Sequence, residues 1–262
     1  MRNRDLKPSE AVRLTWRPGI YTLPEPVSFH DGVSYNNVKV EVYKTNPYPY
    51  DSVVIGVFGS AYQGRTSKKE VENEKKFWRN LAEELGERIA LFHHYHPKKK
   101  ELVLLNGACP GLPQYVADGA SKYGGFVAGI TAADTFNTHC KIVGKRLALK
   151  QRTTHNFVVY PNLTYSLPLD GDPSPDEVID KLKWRNPMNT EFSDICIALE
   201  GSYGTLFEIS MALHPNYSIV GVLTPNAKKK FEEIDIWHIG DFIRFFNEKK
   251  GKKKNPGTKV IA

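Results

Sequence analysis

The stretch "DICIALEGSYGTLFEISMAL", Asp194 to Leu213, decides how the chain is read. Its first part, Ile195 to Leu199, is the short apolar run that a strand buried on both faces requires. The middle places Gly201, Ser202, Gly204 and Thr205 in a turn, and the last part is a helix. Glycines permit positive φ or close backbone approach, and the two hydroxyls offer hydrogen bonds. A helix after such a turn points its free N–H groups and positive dipole end back at it, which favours an anion. Glu208 falls on the first turn of that helix. It either faces whatever the turn holds or complements the helix dipole, a contribution of about 0.3–1 kcal/mol.

Working outward, the same strand, glycine turn and helix recur from residue 52. "SVVIGVF" is a continuous apolar run ending at Gly59 and Ser60. Ser67 and Glu70 have capping-box spacing ahead of a helix whose apolar stripe is Val71, Phe77, Trp78, Leu81 and Leu85. "ELVLL" is the next strand, followed by "NGACPGLPQYVADGA", in which Gly107 and Gly111 allow close approach and Pro113 opens a helix. "GGFVAGI" is a third strand, "HNFVVYP" a weaker fourth, and "YSIVGVL" a sixth after the strand already described. A helix over "DEVIDKLKWRNPMNTEFS" is interrupted near Pro187, and "IGDFIRFFNEKK" forms a terminal helix.

Strands alternating with helices predict an α/β fold: one doubly wound, mostly parallel, Rossmann-like sheet with helices on both faces. Ligands in such sheets bind at the carboxyl ends of the strands, where all three glycine turns fall. Residues 1–50 have short alternating stretches, prolines and an Asp31-Gly32 turn, and predict a β arm packed on the main domain. The expected organisation is an arm over 1–50, a Rossmann-type domain over 51–250 and a basic tail over 251–262.

The composition, 40% hydrophobic and 25% charged, is that of a globular protein. No apolar run reaches the roughly 18 residues of a membrane helix, and the first residues lack the apolar core of a secretory signal. Cys109, Cys140 and Cys196 are too few and too scattered for a disulfide framework, so a cytoplasmic protein is expected and the Asn162 and Asn216 glycosylation patterns are accidental. The net charge of +7 comes largely from "NAKKK" and "NEKKGKKKNPGTK". These lysines form a solvated face, or else attract nucleic acid; they lack the interleaved aromatics of a nucleic-acid motif. His93, His94 and His96 have no carboxylate at ligand spacing, so a polar helix end is expected and no metal site. Cys109 reads as an inert small residue, and Trp184 as a buried anchor or a base-stacking ring.

Four segments together resemble the LOG family, the Lonely Guy cytokinin-activating phosphoribohydrolases, within the superfamily that includes DprA-like and molybdenum-cofactor-carrier proteins. "EGSYGTLFE" is similar to the family's P-G-G-x-G-T-x-x-E, with Glu200 for proline and Ser202 for glycine. "RNPMNTEFSD" keeps the family's arginine as Arg185 and its aspartate as Asp194, with Asn186 in place of lysine. "NGACPGLPQYVADGA" resembles the second glycine segment, and "VIGVFGSA" the first strand and turn. The resemblance spans residues 52–225 and implies cleavage of the N-glycosidic bond of a nucleoside 5′-monophosphate. It assigns catalysis to Glu208 and Arg185. Nucleotide and phosphate binding fall to Gly59, Ser60, Gly107, Gly111, Gly201, Ser202, Tyr203, Gly204 and Thr205. No cofactor is implied, and a homodimer is. Ser202 adds a side chain to the cradle and Glu200 a negative charge beside it. Both departures suit a non-catalytic nucleotide- or cofactor-binding protein of the same fold as well.

Overall fold

The computed structural model describes residues 17–23, 27–28, 34–35, 37–44, 52–61, 69–95, 101–161, 185–186, 188–199, 201, 205, 208, 218–222 and 259–261. Strands β1 (Gly19–Thr22), β2 (Val27–Ser28), β3 (Ser34–Tyr35) and β4 (Lys39–Val42) precede β5 (Val53–Phe58). Next come α1 (Lys69–Tyr95), β6 (Leu102–Asn106), α2 (Leu112–Lys122) and β7 (Phe126–Ile130). They are followed by α3 (Phe136–Val143), α4 (Lys145–Thr154), β8 (Phe157–Tyr160), β9 (Ile195–Ala198), β10 (Ser218–Val222) and β11 (Lys259–Ile261).

The main sheet has the order β1-β4-β8-β7-β6-β5-β9-β10-β11. Pairing is parallel from β8 to β11 and antiparallel where β4 meets β8 and β1 meets β4. The expected doubly wound, mostly parallel sheet is therefore present. Two strands from the first fifty residues extend it edge to edge, and β2 and β3 pair separately. Chain order reverses between β5 and β9, so the chain leaves β5 toward β6 on one side and returns to its other side at β9. In an open α/β sheet, that reversal leaves a crevice at the strands' carboxyl ends.

Alternation along each strand sends side chains to two cores. Val54, Val103, Leu105, Ala128, Ile130 and Val159 pack with Met188 and Phe192 on one face. Ile55, Val57, Leu104 and Val127 pack with Trp78, Ala82, Ile89, Val116 and Ala120 of α1 and α2 on the other. A strand covered on both faces needs an unbroken apolar run, which is why β5 and β6 stand out in the sequence. β8, the weaker candidate, is buried along its whole length.

Two expectations change. Phe77 is 59% exposed and stands off the buried stripe of α1, its ring edge-on to Trp78 at 5.2 Å. Phe77 and Trp78 are adjacent, about 100° apart around the helix, and only one of them can face the sheet. The helix also runs past Leu85 to Tyr95, with His93 and His94 in its last turn, while His96 lies outside the described residues. Ser67, the proposed cap, lies outside the described residues, as do the terminal helix, Trp184, Asn162 and Asn216.

α1 and α2 touch backbone to backbone. A Cβ on Gly86 would collide with the Val116 carbonyl, and one on Gly119 with the Glu83 carbonyl. In a helix Gly→Ala ordinarily gains about 1 kcal/mol. Here forcing the helices apart costs about 1–3 kcal/mol, as overpacking does. Gly119→Ala is accordingly expected to lower the urea midpoint of the full chain; an unchanged or higher midpoint contradicts this close approach.

Candidate functional site

The turns after β5 and β6 and Leu199 at the end of β9 lie together at the carboxyl edge of the sheet, stitched by backbone. The Leu112 N–H donates to the Ser60 carbonyl at 3.0 Å, and the Leu199 N–H to the Phe58 carbonyl at 2.9 Å. Gly59 is glycine for a local reason: a Cβ there would sit 3.0 Å from the Leu112 Cβ. Gly111, at φ 83°, is the residue that launches α2. A Cβ on Gly201 would strike the Thr205 side chain, so Thr205, itself buried, folds back over its own turn. Ser202, Tyr203 and Gly204 lie outside the described residues.

Arg185 comes from the helical residues 185–186 and 188–191, and Glu208, like Thr205, from a helical position after β9. Both are buried, at 6% and 5% exposure. The Arg185 Nη1 donates to the Gly107 carbonyl and lies 3.5 Å from the Ile130 carbonyl, while Nε donates to Asn186 Oδ1 at 3.2 Å. A guanidinium cannot shed its charge, so burial obliges it to find oxygen acceptors. Here they are the carbonyls at the ends of β6 and β7, and Arg185 acts as a bracket between those strands. Gly107 is fitted to it, because a Cβ there would collide with the guanidinium.

The Glu208 Oε1 accepts a hydrogen bond from Asn189 Nδ2 at 2.9 Å, and Thr190 Oγ1 lies 3.5 Å from the Glu208 carbonyl. Burial pushes the Glu208 carboxyl up to about 6, against the pull of Arg185 and Asn189. The Cys109 thiol is pushed up by burial, with Arg185 beside it pulling down, which keeps it a thiol and fits the reading as an inert residue. Asp194, matched above to the family's aspartate, works at the other end of its strand. Its Oδ2 accepts the Val54 N–H at 2.9 Å and its own N–H donates to the Val54 carbonyl at 2.9 Å, pinning β9 to the start of β5.

Several polar residues here escaped the sequence. Asn106 Oδ1 accepts the Ala108 N–H at 2.8 Å and lies 3.2 Å from His155 Nε2. Burial holds His155 down at about 3, so the ring is neutral. Its Nε2–H faces Asn106, and its Nδ1 accepts the Thr154 hydroxyl at 3.0 Å. This chain of contacts holds Ala108 at φ 44°, a conformation that side chains other than glycine seldom adopt. His139 is likewise buried and lowered; its ring nitrogens lie 2.6 Å from Thr131 Oγ1 and 2.6 Å from Gln151 Oε1. No periodicity marks these residues; only an asparagine at a strand end hints at one of them. Among the described residues, no group of three or more His, Cys, Asp or Glu is placed to hold a metal ion. No described helix is long and apolar enough to cross a membrane.

The raised Glu208 carboxyl has a measurable consequence. A folded-state value of about 6 against the ordinary 4.5 means that the folded protein holds a proton the unfolded chain releases. Stability from this group is therefore full below pH 4.5 and is lost as pH rises through 6, by about 2 kcal/mol at neutrality. Urea unfolding of wild type and Glu208→Gln across pH 4.5–7.5 is expected to give a difference that shifts in the variant's favour with pH. A constant difference removes the assignment.

Residues 52–151 match the model of the SLOG cluster4 family. The matched span includes the turns after β5 and β6 and stops short of Arg185, the turn after β9 and Glu208. No curated protein matches the chain. Among solved structures the chain is similar to DNA processing protein A from Streptococcus pneumoniae, at 14% identity and TM-score 0.49, over 86% of this chain and 70% of that one. It is similar to the Helicobacter pylori DNA processing protein A at 12% identity and TM-score 0.48, over 91% and 99% of the two chains. The Chlamydomonas reinhardtii molybdenum cofactor carrier protein is 17% identical with TM-score 0.43, over 76% and 99%. From β5 into α4, then, the chain is similar to the SLOG cluster4 family.

Proposed function

We propose that the chain is a nucleotide-binding protein whose ligand lies across the β5–β9 crevice, with its phosphate against the turn at 201–205 and its remainder toward the turns at 59–60 and 107–111. One observation carries this reading. The reversal of strand order brings glycine turns from two halves of the chain to one edge of the sheet, where backbone N–H groups can meet an anion. Gly59, Ser60, Gly107, Gly111, Gly201, Ser202, Tyr203, Gly204 and Thr205 are the residues assigned to it.

Binding without turnover is the reading the geometry favours. Arg185 spends hydrogen bonds on the carbonyls of Gly107 and Ile130 and on its neighbour Asn186, and Glu208 is hydrogen-bonded to Asn189. Neither is exposed to water. A hydrolase is the second reading, and one observation favours it: a carboxyl raised to about 6 is suited to hold or give a proton near neutrality. On that reading Glu208 stabilises the oxocarbenium-like ribose and orients water while a base leaves a nucleoside 5′-monophosphate. A homodimer belongs to the same proposal, and the mass in solution by light scattering tests it.

Calorimetry with AMP, GMP, a pterin phosphate and a short single-stranded oligonucleotide, with chromatography for released base, separates the readings. The expected result is saturable binding of a mononucleotide or pterin phosphate, weakened at least tenfold by Gly201→Val, with no free base formed. Base release that falls by about two orders of magnitude or more in Glu208→Gln establishes the hydrolase. If only the oligonucleotide binds, with affinity falling steeply in salt and lost on replacing Lys249, Lys250, Lys252, Lys253 and Lys254 by glutamine, which leaves β11 in place, the basic stretch is the functional element.

A further inference from the structure

Asn189 is 1% exposed and its two amide atoms are treated very differently. Nδ2 donates to Glu208 Oε1 at 2.9 Å, whereas Oδ1 is buried with no hydrogen-bond partner among the described residues. A buried acceptor left bare is unfavourable, and native proteins seldom leave one. The nearest remedy is Glu208 itself. An ionised carboxylate has only acceptors and can serve Nδ2 alone; a protonated one has an O–H to donate. An amide and a carboxylic acid placed edge to edge satisfy each other completely, through one N–H···O and one O–H···O bond.

We propose that Asn189 and Glu208 form such an amide–acid pair: Nδ2–H donates to Oε1, and a proton on Oε2 is donated to Asn189 Oδ1. Asn189 is then the positioning residue: burial keeps Glu208 protonated up to about pH 6, and the paired amide fixes its carboxyl in plane. The proton comes from solvent and no other group changes state. The charged and titratable groups around Glu208 are consistent with this. Arg185 approaches from the helical residues 185–186 and 188–191, Cys109 from the turn after β6 and Cys196 from β9, and burial raises both thiols, so they stay uncharged. Arg185 favours the ionised carboxylate, but its N–H groups are engaged by Gly107, Ile130 and Asn186. The raised Glu208 carboxyl points the same way as the orphaned oxygen.

The pair deepens the proposed function, and its consequence for a ligand rests on that reading. Below about pH 6 a neutral Glu208 leaves the crevice without a buried negative charge, which favours a phosphate monoester there; above it the charge returns. The pair itself belongs to the unliganded protein and is tested there. In infrared difference spectra of the full chain between pH 5 and pH 8, one protonated-carboxyl carbonyl band is expected that is absent from Glu208→Gln. In Asn189→Leu the same band is expected at higher wavenumber, because its hydrogen bonds are gone. Should Asn189→Leu not fold, NMR of the wild type decides: the Glu208 carboxyl carbon and the Asn189 side-chain nitrogen are expected to titrate together, with one midpoint near the value of about 6. A band that stays in place in Asn189→Leu, no Glu208-dependent band at pH 5, or an Asn189 nitrogen indifferent to pH overturns the pair. Failure of every nucleotide to bind, with the band present and shifting, overturns the proposed function and leaves the pair standing.

Discussion

A guanidinium inside a protein keeps its charge and must be met by oxygen. Arg185 meets that demand with carbonyls from the ends of two neighbouring strands, Gly107 after β6 and Ile130 of β7. Much of the carboxyl edge follows from this. Gly107 must lack a side chain because the guanidinium occupies that space. Cys109 lies beside the same arginine and stays a buried thiol. Glu208 is buried near the same positive charge, which offsets part of the cost of its carboxylate.

Around that bracket the edge is organised as a polar layer over two apolar cores. Asn106, His155 and Thr154 form one chain of hydrogen bonds beneath the turn after β6. Thr131, His139 and Gln151 form another beneath the end of β8, where the His139 ring stands edge-on to Tyr160 at 6.3 Å. Both histidines are held neutral by burial. Neutral rings each pair one donor and one acceptor, so both chains run in a definite direction. Layers of this kind are costly when incomplete, and here Gln151 Nε2 is buried with no hydrogen-bond partner among the described residues. The chain through Asn106 is the one that fixes Ala108, in the turn after β6.

The legible parts of the sequence were those governed by nearest neighbours. A strand covered on both faces needs an unbroken apolar run, and "SVVIGVF", "ELVLL" and "DICIAL" each supply one that became a strand. Glycine followed by a helix start placed the three turns at the carboxyl edge. The failures share a different cause. Phe77 and Trp78 are equally apolar, and only the position of the sheet under α1 decides that Trp78 is buried and Phe77 exposed. The type of residue at Arg185 likewise does not say that its guanidinium reaches the carbonyls of Gly107 and Ile130.

The sequence by itself determined the alternation of strand and helix, the places where backbone approaches closely, and the segment that carries the SLOG resemblance. Those follow from local periodicity and from the absence of a side chain. Tertiary structure alone decided the strand order that sets β5 beside β9, the addition of β4 and β1 to the far edge, and the meeting of Asn189 with Glu208. Nothing in the spacing of an asparagine and a glutamate nineteen positions apart encodes a hydrogen bond between them. That contact exists because the fold buries Asn189 and Glu208 together, where water is excluded and a polar atom must find its partner within the protein.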